Sequence, residues 1–250
     1  MTLLVLSPHL DDAVLSVGAA LHGRADVVVV TVCSITGDPA RVDEDLRALE
    51  SLGVRAIHLG MLDAPLRGIA ATWEGLCNGD DDDAFADLVA DRFDTFVNTE
   101  VRPAEVWGPL GCGAHVDHRA VHRAVARVWP AACFYEDRPY ARRRGALATA
   151  WERLGATILQ TEADDVDDDL HFDRVIGAPP IAPTTTTTPT EIGLGGRRFR
   201  RQLLPIDGPA RVARLRAIDL YESQRSALVG PADQGGWPFD DVAEALWRPL

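Results

Sequence analysis

Residues 3–21, LLVLSPHLDDAVLSVGAAL, decide how this chain of 250 residues folds. The first four form a short apolar run that is typical of a buried strand. From Ala13 to Leu21 the apolar residues recur at helical spacing, which predicts an amphipathic helix. Between them lies Ser-Pro-His-Leu-Asp-Asp, which puts three ionisable side chains into one strand-to-helix turn. In an open α/β sheet such a turn lies at the carboxyl end of a strand, where ligands bind.

The residue types in this turn indicate metal chemistry. His9 and Asp12 offer an imidazole and a carboxylate, both good ligands for zinc and similar metals. Asp11 points elsewhere, because adjacent residues do not share a face, so it is a candidate general base for a metal-activated water. The alternative is that both aspartates only cap the helix. That alternative accounts for one aspartate but not for His9, and a metal site needs a further ligand from elsewhere.

Composition limits the classes of function. The formal net charge of −13 argues against a nucleic-acid binder, and no apolar run approaches the roughly 20 residues of a membrane span. The start of the chain lacks a basic leader region, and its four cysteines form no Cys-x-x-Cys pair. We therefore expect a cytoplasmic protein with reduced, packed thiols and a small-molecule partner, with neither a nucleic-acid partner nor a membrane span. The composition is also compatible with a homo-oligomer.

Strand and helix patterns alternate along the first part of the chain. Further strand patterns lie at residues 27–33, 56–59, 105–107 and 131–135. Helix patterns lie at residues 42–52, 84–93 and 116–128. The alternation predicts a Rossmann-like, three-layer α/β/α fold with a mainly parallel sheet. No linker is long enough to divide the chain, so we expect a single domain, residues 1–250, with a variable segment at about 160–205.

A second group of histidines follows the fourth predicted strand. His115 and His118 are three residues apart and share a helix face, and His122 lies one turn further on. Strands one and four of such a sheet are commonly adjacent, which would bring this group to His9. One of these histidines would complete a set with His9 and Asp12, leaving an open position for water as in catalytic zinc sites. Spacing alone does not decide which one, although His122 fits a packing role better.

Two motifs together resemble those of a known family. SPHLDD at residues 7–12 and GAHVDHRAV at residues 113–121 are similar to the paired motifs of the PIG-L/LmbE-like zinc-dependent N-deacetylases. The likeness covers about residues 3–140, and Tyr-Glu-Ser-Gln at 221–224 is similar to a late element of the family. The resemblance implies an LmbE-like fold and one Zn²⁺ per chain, with another divalent transition metal as an alternative. It assigns the metal ligands as His9, Asp12 and His118.

The resemblance also assigns roles to neighbouring residues. Asp11 would be the general base, His115 would face the open metal position, and Asp117 would orient His115 from outside the ligand set. Leu-Gly-Met-Leu-Asp at residues 59–63 is similar to a family segment, which makes the nearby Arg67 an expected substrate contact. Further candidates for the pocket lining are Glu136, Asp137 and Tyr140.

The chain departs from the family pattern at four positions. Ala13 stands where the family often has Glu, and Leu10 and Val116 stand where it often has Pro. Gly113 stands where members that act on sugar thiols carry Tyr. No ligand and no base is lost, so these departures concern the substrate and not the metal site.

The resemblance implies a zinc-dependent hydrolase that removes the acetyl group of an N-acetylated amino sugar or related soluble metabolite. We prefer an antibiotic or other specialised-metabolite intermediate, by fold-level analogy. One alternative is a metal-dependent amidase acting on a larger acyl or thiol-conjugate amide, and another is a phosphatase with Asp11 as nucleophile. A third is a non-catalytic, nucleotide-binding Rossmann-like module, although the first turn lacks the Gly-x-Gly-x-x-Gly pattern that such modules use.

Overall fold

A computed structural model of the chain describes residues 1–143, 145–163, 187–225 and 243–250. Nine strands in these ranges form one sheet. The strands are β1 (Leu3–Ser7), β2 (Val27–Thr31), β3 (Arg55–His58), β4 (Glu105–Pro109), β5 (Cys133–Tyr135), β6 (Thr157–Ala163), β7 (Thr187–Leu194), β8 (Arg197–Pro205) and β9 (Ala243–Pro249). The helices are α1 (Asp12–Leu21), α2 (Ala40–Ser51), α3 (Trp73–Cys77), α4 (Asp83–Thr99), α5 (Val116–Val128), α6 (Ala146–Arg153) and α7 (Gly208–Asp219).

The sheet has a parallel half and an antiparallel half. The strand order is β3-β2-β1-β4-β5-β9-β8-β7-β6. Along this order, adjacent strands from β3 through β5 are parallel, whereas β5, β9, β8, β7 and β6 pair with their neighbours in antiparallel fashion. The prediction of a mainly parallel sheet is therefore correct only for the first half. The second half differs because a short turn at Gly195 and Gly196, both with positive φ, joins β7 to β8 as a hairpin without a crossover helix.

The position of β1 determines where the two sequence motifs meet. It lies between β2 and β4, with Val5 opposite Val29 on one side and Trp107 on the other. The chain order reverses between β1 and β4, so a crevice forms at the carboxyl ends of these two strands. The turn after β1 and the loop after β4 both open into that crevice.

Helices cover both faces of the parallel half. Alternate residues of a strand point to opposite faces. Leu4 and Leu6 therefore pack into the layer formed by α4, α5 and α6, while Leu3 and Val5 pack into the layer formed by α1, α2 and α7. This is the three-layer arrangement that the alternating sequence pattern predicted, and it holds the crevice between two rigid layers.

Other sequence features have varied outcomes. The four cysteines are buried and free, and Trp247 is a fully buried packing residue that contacts Trp151 edge-on. In the described ranges, no helix has both the length and the apolar character needed to cross a membrane. Part of the threonine-rich run at residues 184–190 opens β7. The acidic run at 164–173 and Trp237 lie outside the described residues.

Candidate metal centre

Three side chains from the two motifs converge at the crevice. The candidate ligand atoms are His9 Nδ1, Asp12 Oδ2 and His118 Nε2. The two nitrogens lie 3.1 and 3.2 Å from the carboxylate oxygen and 3.3 Å from each other. Atoms that bind one ion at about 2.0–2.1 Å and are separated by these distances subtend about 100° at the ion, close to the tetrahedral angle. The donor types and their spacing therefore fit one face of a zinc site.

Asp11 borders this set without belonging to it. It occupies the N-cap position of α1, yet its side chain makes no capping hydrogen bond, so helix capping does not account for it. Its Oδ2 instead lies 3.4 Å from Arg41 Nη2. Burial raises the pKa of Asp11 to about 6, with Arg41 opposing the shift and Asp12 adding to it. A carboxyl group with such a pKa is suited to accept a proton and to return it.

The second nitrogen of each histidine ligand meets a buried carboxylate. His118 Nδ1 lies 2.6 Å from Asp137 Oδ1, and His9 Nε2 lies 3.0 Å from Asp117 Oδ2. A carboxylate in this position keeps the hydrogen on the outer nitrogen and directs the lone pair of the inner nitrogen to a metal. Both imidazoles are therefore oriented for coordination by residues outside the ligand set.

Sequence reasoning missed this role of Asp137, which was expected only as part of the pocket lining. Its Oδ2 accepts hydrogen bonds from the backbone N–H groups of Gly111 and Cys112 at 2.7 and 3.0 Å, so the carboxylate is fixed on both sides. The only signal in the sequence is its place two residues after the end of β5, at the same edge of the sheet. Asp137 therefore links the loop after β4 to the ligand His118.

The carboxylates give the centre an affinity for positive charge. Burial lowers the pKa of His9, but hydrogen bonds to Asp117 and two further aspartates outweigh burial and raise that pKa well above its usual range. A similar balance, with Asp12 and Asp137 as partners, raises the pKa of His118 to about 9. The potential that holds a proton on these imidazoles also favours a divalent cation, which replaces the proton on binding.

His115 flanks the ligand set at the N-cap of α5. Its Nδ1 accepts a hydrogen bond from the backbone N–H of Asp117 at 3.2 Å, so the neutral ring carries its hydrogen on Nε2. Burial, and next the charge of His9, lower the pKa of His115 to about 3. The resemblance implied that Asp117 orients His115. In the structure the main chain of Asp117 makes that contact, while its carboxylate pairs with His9.

The ring nitrogens of the three histidines offer a second ligand combination. Ligand atoms of His9, His115 and His118 all lie within 4.8 Å of one another. In the set with Asp12 the three separations, 3.1, 3.2 and 3.3 Å, are nearly equal. The set with Asp12 is therefore the better match to a single ion.

A cavity of about 170 Å³ opens beside the ligand set. Tyr140 lines it, and so do residues that sequence reasoning did not single out as a site. These are Arg41, Trp73, Arg138 and Gln224. The long loop at residues 60–79 supplies Asp63 and Trp73 to the lining.

The late element at residues 221–224 is held against α2. Tyr221 donates a hydrogen bond to Asp45 Oδ1 at 2.8 Å, and the Ser223 hydroxyl donates one to Glu44 Oε2 at 2.6 Å. Both acceptors belong to α2 and are buried. These contacts place Gln224 at the cavity, so the helix that carries Arg41 also positions this part of the wall.

Two expected substrate contacts are not in the cavity lining given by the described residues. Arg67 Nη2 lies 2.6 Å from Asp117 Oδ1, and its guanidinium lies 3.6 Å from the centroid of the Phe85 ring. Glu136 accepts hydrogen bonds from Arg201 and from the indole of Trp247. Tertiary contacts thus use both side chains to support the structure around the centre.

His122, which was expected to have a packing role, and His58 both lie away from the ligand set. His122 is buried, with its Nδ1 2.9 Å from the carbonyl oxygen of Pro109 and its ring stacked near Phe134. His58 is half-buried, and its Nε2 lies 2.8 Å from Asp45. Each has a partner that accounts for it without a metal.

Comparisons with known proteins identify a family and a relative that this chain resembles in sequence. A model of the PIG-L family, described as GlcNAc-PI de-N-acetylase, matches residues 4–129, just over half of the chain. The 2'-N-acetylparomamine deacetylase of Streptomyces fradiae is 33% identical over 170 residues, which are 58% of this chain and 59% of the relative. The chain thus spans less than two thirds of that relative's length.

Solved structures share the fold. The zinc-inhibited form of teicoplanin deacetylase Orf2 has a TM-score of 0.67 at 21% identity, with 100% of this chain and 98% of that chain covered. The A40926 pseudoaglycone deacetylase Dbv21 has a TM-score of 0.62 at 22% identity, with 100% and 97% covered. From the extent of the family match, the chain belongs to the PIG-L (GlcNAc-PI de-N-acetylase) family.

Proposed function

We propose that the chain is a metal-dependent N-deacetylase that holds zinc through His9, Asp12 and His118. The observation that carries the proposal is the nearly equal spacing of three ligand atoms beside Asp11, a carboxylate that capping does not explain. The proposed substrate is an N-acetylated amino sugar or related metabolite, such as an antibiotic or other specialised-metabolite intermediate. Two similar proteins are named as deacetylases of 2'-N-acetylparomamine and of teicoplanin, and these names support this class of substrate.

Asp11 and His115 carry the proposed proton transfer and charge stabilisation. Zinc bound at the site would polarise the acetamide carbonyl and acidify a water molecule. Asp11 accepts a proton from the attacking water as its oxygen adds to the carbonyl carbon. His115 donates a hydrogen bond from its Nε2–H group to the developing oxyanion. Because the backbone N–H of Asp117 already donates a hydrogen bond to His115 Nδ1, the orientation of the Nε2–H donor is fixed before the substrate binds.

The departing amine then needs a proton, because an amide anion is a poor leaving group. Asp11, protonated in the first step, returns the proton to the nitrogen as the C–N bond breaks. A protonated His115 is the other candidate, but its pKa of about 3 leaves very little of the imidazolium form near neutral pH. We therefore assign both proton transfers to Asp11, and the products are acetate and a free amine.

Tyr140 is the proposed substrate contact with the best support, because it lines the cavity and its ring packs edge-on against His118. Burial raises the pKa of Tyr140 well above its usual range, so the phenol stays protonated near neutral pH. Arg67 has a supporting role in this proposal, since it holds the Asp117 carboxylate that pairs with His9. Glu136 anchors Arg201 of the antiparallel half behind the site.

Metal content measured together with acetate release tests the proposal. We expect about one zinc ion per chain after gel filtration, and equal amounts of acetate and amine from N-acetylated amino sugars. Chelation should abolish turnover and added zinc should restore it. His118→Ala should lose the metal, whereas the control His58→Ala, at a histidine paired with Asp45, should keep it. A folded chain that binds no metal, or turnover that survives full chelation, would refute the proposal.

A further inference from the structure

Helix α1 is capped from outside its own first turn. The carbonyl oxygen of Asp11 accepts the first hydrogen bond of the helix, from Leu15 N–H at 2.9 Å, so Asp11 is the N-cap residue. An N-cap side chain normally accepts a hydrogen bond from the second or third N–H group of the helix. Here the second of these, that of Ala13, donates to the hydroxyl of Ser7 at 3.1 Å instead. The hydroxyl of a strand residue therefore performs the task of an N-cap side chain.

The Ser7 hydroxyl is held in place for this task. Ser7 is the last residue of β1 and is buried, and its carbonyl oxygen accepts a hydrogen bond from Val32 N–H at 2.9 Å. Its hydroxyl donates to the carbonyl oxygen of His9 at 2.7 Å. A serine hydroxyl has one hydrogen and two lone pairs, so donation to His9 leaves a lone pair for the N–H of Ala13. One side chain thus joins strand β1 to both ends of the turn that carries His9 and Asp11.

This arrangement releases Asp11 from capping. Aspartate is among the strongest N-cap residues, so an unpaired N–H group at the start of α1 would attract its carboxylate. Because Ser7 already accepts from Ala13, the Asp11 carboxylate instead lines the cavity, with its Oδ2 3.4 Å from Arg41 Nη2. The turn therefore divides two tasks between two side chains, since Ser7 satisfies the helix while Asp11 faces the cavity.

We propose that Ser7 is a positioning residue of the reaction, which caps α1 in place of Asp11 and thereby keeps the Asp11 carboxylate where a general base is needed. This inference rests on the proposed deacetylase function, in which Asp11 accepts the proton of the attacking water. Without the Ser7 hydroxyl, the N–H of Ala13 would lack its acceptor, and a buried donor without a partner destabilises the turn. The carboxylate of Asp11, two residues away along the chain, would then turn back to accept that hydrogen bond and leave the cavity.

A double-mutant cycle on the zinc-loaded chain tests whether Ser7 acts through Asp11. Ser7→Ala should lower kcat by about tenfold or more, measured as acetate release from N-acetylglucosamine at saturating zinc, because a displaced base no longer reaches the water. Ser7→Thr retains the hydroxyl and should recover most of this loss. In an Asp11→Asn background, Ser7→Ala should change kcat by less than about twofold, because the carboxylate that it displaces is already gone. An equal loss of kcat in both backgrounds would overturn the inference.

Ser16→Ala provides the matched control, because it removes another buried hydroxyl of α1, one that accepts a hydrogen bond from Arg138 N–H at 3.0 Å. Any effect of this control on kcat should be the same in both backgrounds. If Ser7→Ala does not fold, Ser7→Cys gives a milder version of the same test, because a thiol is a weaker acceptor than a hydroxyl.

Crystal structures of the zinc-loaded variants test the capping role without turnover. In Ser7→Ala an Asp11 carboxylate oxygen should lie within about 3.2 Å of Ala13 N, whereas in Ser16→Ala the carboxylate should stay beside Arg41. A folded Ser7→Ala variant whose Asp11 still faces Arg41 would overturn the inference and leave the deacetylase proposal standing. If the unchanged chain releases no acetate, the deacetylase proposal fails, and these structures alone decide whether Ser7 caps the helix in place of Asp11.

Discussion

Asp137→Asn tests whether the metal site depends on a residue outside the ligand set. Asn has nearly the same shape as Asp, so the backbone N–H groups of Gly111 and Cys112 can still donate to its amide oxygen. The amide NH₂ would then face His118 Nδ1, where the carboxylate now lies at 2.6 Å. Two donors cannot bond, so His118 would have to accept at Nδ1 and carry its hydrogen on Nε2. That tautomer blocks the nitrogen that faces Asp12 and His9.

The expected magnitude follows from the role of such carboxylates. Loss of a hydrogen-bond partner of a metal-bound histidine typically weakens metal binding by about 10–100-fold, or about 1.4–2.7 kcal/mol. We expect the upper part of this range for Asp137→Asn, because the change both removes a buried charge and favours the wrong tautomer. Turnover at saturating zinc should fall less than zinc affinity, because the variant retains all three ligands.

Zinc dissociation constants from competition with a chromophoric chelator provide the assay, with circular dichroism to confirm folding. Glu136→Gln is the matched control, because this adjacent buried carboxylate pairs with Arg201 and Trp247 and not with a ligand. The control should lower the free energy of unfolding without changing zinc affinity. A folded Asp137→Asn variant with the zinc affinity of the unchanged chain would refute the orienting role of Asp137.

Three further predictions concern the base and the late element. Asp11→Asn should keep its zinc and lose turnover by at least about 100-fold, measured as acetate release; near-normal kcat would exclude Asp11 as base. Asp11 must be deprotonated to act as base, and its pKa is about 6 before a bound cation lowers it. We therefore expect kcat/KM to fall tenfold per pH unit below a midpoint at or under pH 6. A midpoint above pH 7 would contradict this. Tyr221→Phe removes one hydrogen-bond donor from the buried Asp45 and should reduce the free energy of unfolding by about 1–3 kcal/mol. Urea titration measures this change, and an unchanged midpoint would contradict it.

The elements that the sequence predicted well are those with strong local patterns. The run of buried residues in β1 and the helical spacing of α1 fix a strand-turn-helix unit, so His9 and Asp12 had to lie at the carboxyl end of a strand. His118 was placed by the same logic after β4. The common adjacency of strands one and four then predicted the meeting of these clusters, which the 3.3 Å between His9 and His118 confirms.

The antiparallel half was not predicted, because its strands lack a strong local signal. β8 contains four arginines around Phe199, so its sequence lacks the apolar pattern of a buried strand. Only tertiary contacts show that Arg201 bridges Glu136 and Glu162, and that Arg198 and Arg200 both pair with Glu191. The pairs of Arg201 join segments that are 65 and 39 residues apart in sequence, so no spacing rule reveals them.

The sequence by itself determined the layered α/β unit and the candidate ligand types, since His and Asp at the end of a strand supply the donor atoms that a metal site needs. Tertiary structure decided which carboxylates orient the imidazoles and what lines the cavity. Asp137, Arg41 and Trp73 come from three separate segments, and their roles arise from packing across the sheet edge. Short-range periodicity specifies which face of an element is buried, whereas the partner of a buried polar group depends on how separate elements come together.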